Sequence, residues 1–360
     1  MDALTGLRGF AALWVVSLHF SLDAILLIPA IAHVNWFIGA GANAVPMFFI
    51  LSGFILLHTY RDRFEVFTWP EYFRFLGLRL ARIYPGYLAA LAAMVLLYVA
   101  ATLHGVAHSA TGYPLAWLLP EALMLHAWVP NNATPHFFGW NFPDWSVSAE
   151  WFAYLFIFPL AVWLLKKLAA RRDQLVLALL LMILAVEPTV RTQWSISMVS
   201  LLFLAGALFW ELRRRRLAAG KALPPHLDSV AVVALLALLW FPTDGNWLPV
   251  TIAITMVIAL LIFGLSRADG IFSRLLATRP MIFLGEISYS IYLIHGVVIR
   301  LLKIILPATK YTQATLAVRA GVLVVDAVAV LAAATLLFFV VEHPARLWLR
   351  RTFARPQTQR

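Results

Sequence analysis

The sequence predicts an all-α integral membrane protein of about ten transmembrane helices, with N- and C-termini cytoplasmic. Three observations carry this expectation. Hydrophobic residues make up 62% of the 360 and charged residues 12%, at a mean hydropathy of +0.85, whereas soluble domains are about half apolar and a quarter charged. Apolar runs long enough to span, or nearly so, fall at 7–28, 42–60, 84–104, 147–165, 174–190, 195–212, 229–241, 248–266, 283–303 and 317–341. With the N-terminus inside, all Lys and Arg but Arg191, Arg300, Lys303, Lys310 and Arg319 fall on the cytoplasmic side. That bias accounts for the net charge of +11 without a nucleic-acid partner. The chain has no cysteine, which excludes disulfides, thiolate metal sites and a cysteine nucleophile.

In chain order, run 7–28 carries Arg8 and His19, has no clear small-residue cleavage site and leads into further spans, so no cleavable signal is expected. An ionisable side chain inside a span is a functional candidate. Arg8 and His19 are eleven residues apart, roughly three turns, so they share a face with His19 about 16 Å deeper. A cation at the mouth and an imidazole near the bilayer middle suit an anionic cofactor at one end and proton chemistry at the other. The plain alternative is a headgroup anchor and an interhelical hydrogen bond. Run 42–60 contains Phe48-Phe49-Ile50-Leu51-Ser52-Gly53-Phe54, where Ser52-Gly53 lets a helix or a ligand approach the backbone closely.

The cytoplasmic loop 61–83 carries Arg61, Arg63, Arg74, Arg79 and Arg82. Arg79 and Arg82 stand at i,i+3 directly before a Pro-initiated span, a geometry that presents two guanidiniums to one phosphate-bearing ligand or to lipid headgroups. In the outer segment 105–146, the apolar stretch 115–129 is read as re-entrant or interfacial, because it holds Pro120, Glu121 and His126 and counting it as a span would place Arg213 to Arg216 outside. Trp140, Trp145, Asn141 and His136 in this segment suit sugar rings, or form an interfacial aromatic belt. Run 147–165 opens with Asp144-Trp145-Ser146-Val147-Ser148-Ala149-Glu150. Ser146 can cap it, and Glu150, one turn inside, needs a partner or a job.

The Arg-rich 213–221 loop followed by Pro224-Pro225 is the expected hinge between halves. Run 283–303 reaches His295 at a depth comparable to His19, so the two imidazoles are expected to share a cavity or to be satisfied separately in the core. Asp326 lies in the last run, which ends at Glu342-His343-Pro344. No internal repeat, zinc-protease spacing, phosphate-binding glycine loop or nucleophile elbow is visible, and the outer-loop histidines form no convincing metal set, so no metal is expected. The chain reads as one domain, 1–345, followed by a basic cytoplasmic tail, 346–360.

Taken together, the sequence resembles bacterial membrane acyltransferase family 3, enzymes that O-acylate surface glycans. The resemblance rests on Leu4-Thr5-Gly6-Leu7-Arg8-Gly9-Phe10-Ala11-Ala12 with His19, the Phe48–Phe54 stretch, Arg79-Leu80-Ala81-Arg82-Ile83-Tyr84-Pro85, Trp145-Ser146-Val147-Ser148-Ala149-Glu150, Ile287-Ser288-Tyr289-Ser290-Ile291-Tyr292-Leu293-Ile294-His295 and Glu342-His343-Pro344. Many members have Asp where Thr5 stands and a second arginine where Leu78 stands, which puts donor binding in a different tune here. The chain is similar to the stand-alone form, without a C-terminal esterase-like domain.

The resemblance implies an acyl-CoA donor, acetyl-CoA foremost, and a polysaccharide or lipid-linked oligosaccharide acceptor, in a multi-pass protein of the bacterial inner membrane. On this reading Arg8, Arg79, Arg82 and Ser52 bind the donor. His19 is general base or transient acyl carrier, Glu150 or His295 assists it, and the outer aromatic segment receives the acceptor. The rival from another class is a proton-coupled transporter, which should show a repeat or paired broken helices.

Overall fold

The computed structural model describes residues 1–105, 115–129, 138–167, 177, 195–240, 248–267 and 269–353. Every regular element among them is helical. Apart from short helical turns, in order these are α1 (Asp2–Leu27), α2 (Ala44–Tyr60), α3 (Trp69–Leu103), α4 (Asp144–Lys167), α5 (Ser195–Ala218), α6 (Leu227–Trp240), α7 (Leu248–Leu265), α8 (Ile271–Leu276), α9 (Arg279–Glu286), α10 (Ser288–Ile305), α11 (Leu316–Leu337) and α12 (His343–Thr352). Among the described residues seven helices are long and apolar enough to cross a membrane, and α6 and α7 are shorter apolar helices over the expected runs 229–241 and 248–266. Of the expected span 174–190 all but residue 177 lies outside the described residues.

Glycines set the closest helix contacts. A Cβ on Gly53 of α2 would overlap the Phe203 carbonyl of α5, and one on Gly206 of α5 would overlap the Ile50 carbonyl of α2, so these helices touch backbone to backbone. Gly6 and Gly9 bring α1 against α8 and α9 in the same way, at Leu276 and Leu284. With no hydrophobic drive between helices in lipid, such close van der Waals contact is what holds a bundle together.

The structure departs from the expected boundaries in four places. First, α3 starts at Trp69, with Pro70 in its first turn, and runs on through Pro85. Arg79 and Arg82 therefore sit on a helix, and no span begins at Pro85. Second, α5 continues to Ala218 and takes in Arg213 to Arg216, which sequence reading put in a loop. The cause is Glu211, 1% exposed, whose carboxylate accepts from Arg214 at 2.5 Å and Arg215 at 2.7 Å, with Arg61 at 3.7 Å. Third, the run 283–303 is two helices broken at Ile287. Fourth, α12 docks on α3: Arg74 Nε donates to the Phe353 carbonyl at 2.8 Å, and the Phe353 ring fills the space a side chain at Gly77 would need. Through these contacts the end of α12 packs on α3.

The stretch 115–129 contains only short helical turns, Leu115–Trp117, Leu118–Ala122 and His126–Trp128, none long enough to cross. Glu121 anchors it. Its carboxylate, fully buried, accepts from the backbone N–H of Trp140 at 2.8 and 2.9 Å and of Asn141 at 3.3 Å, while Tyr87 of α3 donates to its carbonyl at 2.7 Å.

Candidate active site

A cavity of about 250 Å³ opens between α1, α2, α3, α4 and α10. Its polar wall holds Arg8, Ser52, Arg79, Arg82 and Glu150, with Tyr154, Tyr289 and Tyr292, and its apolar wall includes Phe48 and Phe49. Helix periodicity explains Ser52: Gly53 faces α5, so the preceding residue, about 100° round the helix, faces the cavity. The close approach allowed by Gly6 and Gly9 places Arg8 on the same wall.

The cations and the carboxylate in this cavity are held differently. Arg79 donates to the Tyr60 hydroxyl at 2.7 Å and lies 5.0 Å over the Tyr60 ring, but its Nε is buried with no partner among the described residues. Glu150 accepts from Ser52 Oγ at 2.5 Å and from the Tyr154 hydroxyl at 2.6 Å. Directly after it, Ala153–Ile157 winds as a π-turn, and the Leu155 carbonyl accepts from Tyr72 of α3 at 2.5 Å. Such π-turns recur at functional sites.

A second one, Phe338–Glu342, ends α11 and carries Glu342, fully buried. Glu342 accepts from Ser290 at 2.7 Å, its Oε1 has no partner among the described residues, and Arg82, Arg346 and Arg8 act on it electrostatically. Sequence reading left Glu342 at the cytoplasmic surface. The Glu-His-Pro motif was the available signal, but only the π-turn shows that the carboxylate turns inward.

His19 and His295 are brought together, with ring centroids 5.1 Å apart, and Phe142 closes the group at 4.7 Å from His19 and 5.3 Å from His295. Each histidine holds a backbone carbonyl of its own helix, His19 Nδ1 with Val15 at 2.9 Å and His295 Nδ1 with Tyr292 at 2.6 Å. A carbonyl oxygen only accepts, so both Nδ1 atoms carry the hydrogen, and in the neutral imidazole each Nε2 is left with its lone pair. His295 Nε2 is buried without a partner among the described residues. Tyr292 joins the two halves of the site: it lines the cavity, its ring is 5.8 Å from that of His295, and its hydroxyl takes a hydrogen bond from Ser146 at 2.8 Å. His19 therefore meets His295, while Glu150 lies with the arginines.

The residues expected to bind sugar separate. Trp140 is 3% exposed, with its indole edge-on to Tyr98 at 5.0 Å. Asn141 is fully buried, and its Nδ2 donates to Asp144 at 2.8 Å and to the Leu293 carbonyl at 3.0 Å. Neither presents a face to an acceptor. Together they clamp the segment 138–143 so that Phe142 meets the histidines. Trp145 is half-buried, and His136 lies outside the described residues. Among the described residues no group of three or more His, Asp or Glu is placed to hold a metal ion.

A helical membrane bundle with a cation-lined cavity and, beyond Tyr292, two imidazoles in ring contact has the parts of a membrane-embedded transferase. The acyltransferase domain model of family 3 matches residues 1–342, and the chain belongs to that family. It is an acyltransferase. It is 30% identical to the acyltransferase MdmB of Streptomyces mycarofaciens over 383 aligned positions, covering 98% of this chain and 93% of that protein. It is also 38% identical over 101 residues to protein 2 in the picA locus of Rhizobium radiobacter, covering 27% of this chain and 44% of that one. No solved structure matches it.

Proposed function

We propose that the protein is an O-acyltransferase of the bacterial inner membrane, with ten spans and both termini cytoplasmic, that moves an acetyl group from cytoplasmic acetyl-CoA to a hydroxyl of a cell-surface or lipid-linked glycan. One observation carries the reading: Arg8, Ser52, Arg79 and Arg82, distant in sequence, line one cavity with Tyr292, whose ring lies 5.8 Å from that of His295, the partner of His19. At about 250 Å³ the cavity is just under the size of drug-sized ligand pockets, room for a narrow acyl-pantetheine arm rather than a nucleotide. The phosphates then stay at the mouth with Arg8, Arg79 and Arg82, whose fixed forks match phosphate oxygens.

At the inner end, His19 Nε2 takes the acceptor hydroxyl proton as that oxygen attacks the thioester carbonyl. The C–S bond breaks, and the proton passes to the departing CoA sulfur. His295, whose ring lies 5.1 Å from that of His19, orients or shares that proton, and Glu150, held by Ser52 and Tyr154, balances the arginine charge. Membership of an acyltransferase family favours this reading over proton-coupled transport. The test is direct: purified protein in lipid nanodiscs should release free CoA from acetyl-CoA and label a glycan acceptor. A preparation that binds acetyl-CoA but transfers to no glycan would leave the acyl-transfer fold standing and remove the glycan.

A further inference from the structure

Along α2, Val45, Phe48, Ser52, Ile55 and Thr59 line the donor cavity as one stripe, at the alternating three- and four-residue steps of a single helix face. The stripe runs from mouth to floor. Thr59 is exposed beside Tyr60, whose hydroxyl Arg79 holds at 2.7 Å, and Phe48 stands eleven residues, roughly 16 Å, further in. At that inner end a Cβ on Gly41, three residues before α2, would overlap the Trp14 carbonyl and Leu18 of α1, the turn that leads to His19. Phe48 also opens an unbroken line of ring contacts. It meets Tyr292 edge-on at 5.9 Å and 70°, Tyr292 lies 5.8 Å from His295, and His295 lies 5.1 Å from His19. The first two rings are not equally free. Tyr292 is buried and its hydroxyl is tied to Ser146 at 2.8 Å, with Ser146 3.0 Å from the Pro143 carbonyl, so swinging it aside breaks a buried hydrogen bond. Phe48 is half-buried and has no polar atom on its side chain, so packing alone holds its ring.

We infer that Phe48 is the acyl-length gauge of the enzyme: its ring, set against Tyr292, leaves room for a two-carbon acyl group at the histidines and excludes a straight chain of four carbons. This rests on the acyl-transfer reading above. With the phosphates at the arginines, the reacting end of the donor lies at the depth of Phe48, and the tail of the acyl group has to fit among rings. Phe48 and Tyr292 close that space on the cavity side, and Phe142, 4.7 Å from His19 and 5.3 Å from His295, closes it beyond. Each added methylene then displaces a ring or pulls the thioester carbonyl out of line with His19, and overfilling a packed apolar space is unfavourable. Tyr292 is fixed by its hydrogen bond, so the limit lies with Phe48. A single methylene in an apolar pocket is discriminated by about 10- to 200-fold.

The experiment uses the full chain in nanodiscs with acetyl-, propionyl- and butyryl-CoA and reads released CoA with a thiol reagent, to which the cysteine-free chain is silent. In the wild type kcat/KM should fall about tenfold or more from acetyl- to butyryl-CoA. Phe48→Ala should raise the butyryl-to-acetyl ratio about tenfold or more, and Phe48→Leu should raise it by less. A merely structural role for Phe48 would lower all three donors together and leave the ratio unmoved. Wild-type protein that uses butyryl-CoA as well as acetyl-CoA, or an unchanged ratio in the variants, overturns the gauge. If thermal melting shows that Phe48→Ala does not fold, Phe48→Leu and the wild-type series decide. Where the donors bind but no CoA is released, the same ratios are read as Kd by calorimetry. Failure of the wild-type protein to bind any of the three donors instead removes the acyl-transfer reading itself.

Discussion

The histidine pair is where single side chains decide most. His19 and His295 each spend Nδ1–H on a carbonyl, so the free Nε2 is a base by construction rather than by titration. His19→Ala should therefore lower acetyl transfer about a hundredfold or more, the usual contribution of a positioned base, with acetyl-CoA affinity nearly unchanged. Near-normal turnover would sink the mechanism. The arginines should behave in the opposite way. Arg79→Ala and Arg82→Ala should weaken acetyl-CoA binding, Arg→Lys should restore only part of it, and raised ionic strength should weaken binding in the wild type. Normal affinity in both alanine variants would return these residues to the role of headgroup anchors.

At the scale of the element, the stretch 115–129 carries two buried groups whose titrations oppose each other. Burial pushes the Glu121 carboxyl up to about 7 and the His126 imidazole down to about 4. For Glu121 the folded state holds its proton longer than the unfolded chain, so its contribution is full below pH 4.5 and is lost as pH rises to 7. For His126 the unfolded chain binds the proton first, so its contribution is full above pH 6.5 and is lost as pH falls to 4. Each effect is on the order of 3 kcal/mol, and between pH 4.5 and 6.5 they cancel. Wild-type thermal stability should be nearly flat there. Glu121→Gln should unmask a fall toward acid and His126→Gln a fall toward neutral pH; parallel curves for all three proteins would show that neither group titrates as its burial dictates.

For the whole molecule, the proposed function has donor and acceptor arriving from opposite faces, the donor at the end of α1 that carries Arg8 and the acceptor at the end beyond His19. The cysteine-free chain makes this testable. Single cysteines at Val66, 72% exposed before α3, and at Lys310, exposed between α10 and α11, should react with a membrane-impermeant thiol reagent from opposite sides of sealed vesicles. Labelling from one side only would overturn the arrangement and the two-sided route with it.

The sequence by itself determined the helical membrane class, because apolar runs and the one-sided placement of Lys and Arg are local properties of the chain. It also singled out Arg8, Ser52, Arg79, Arg82, Glu150, His19 and His295, since an ionisable or small polar residue inside an apolar run is conspicuous whatever surrounds it. Pairing was not legible. That His19 meets His295 while Glu150 joins the arginines depends on which helix faces touch, and those are set by glycine contacts such as Gly53 with Gly206 and Gly9 with Gly285. The inward turns of Glu342, Trp140 and Asn141 were hidden for the same reason. A π-turn and a buried carboxylate such as Glu121 act across helices, so only the tertiary structure decided which polar residues hold the frame and which are left facing the reaction.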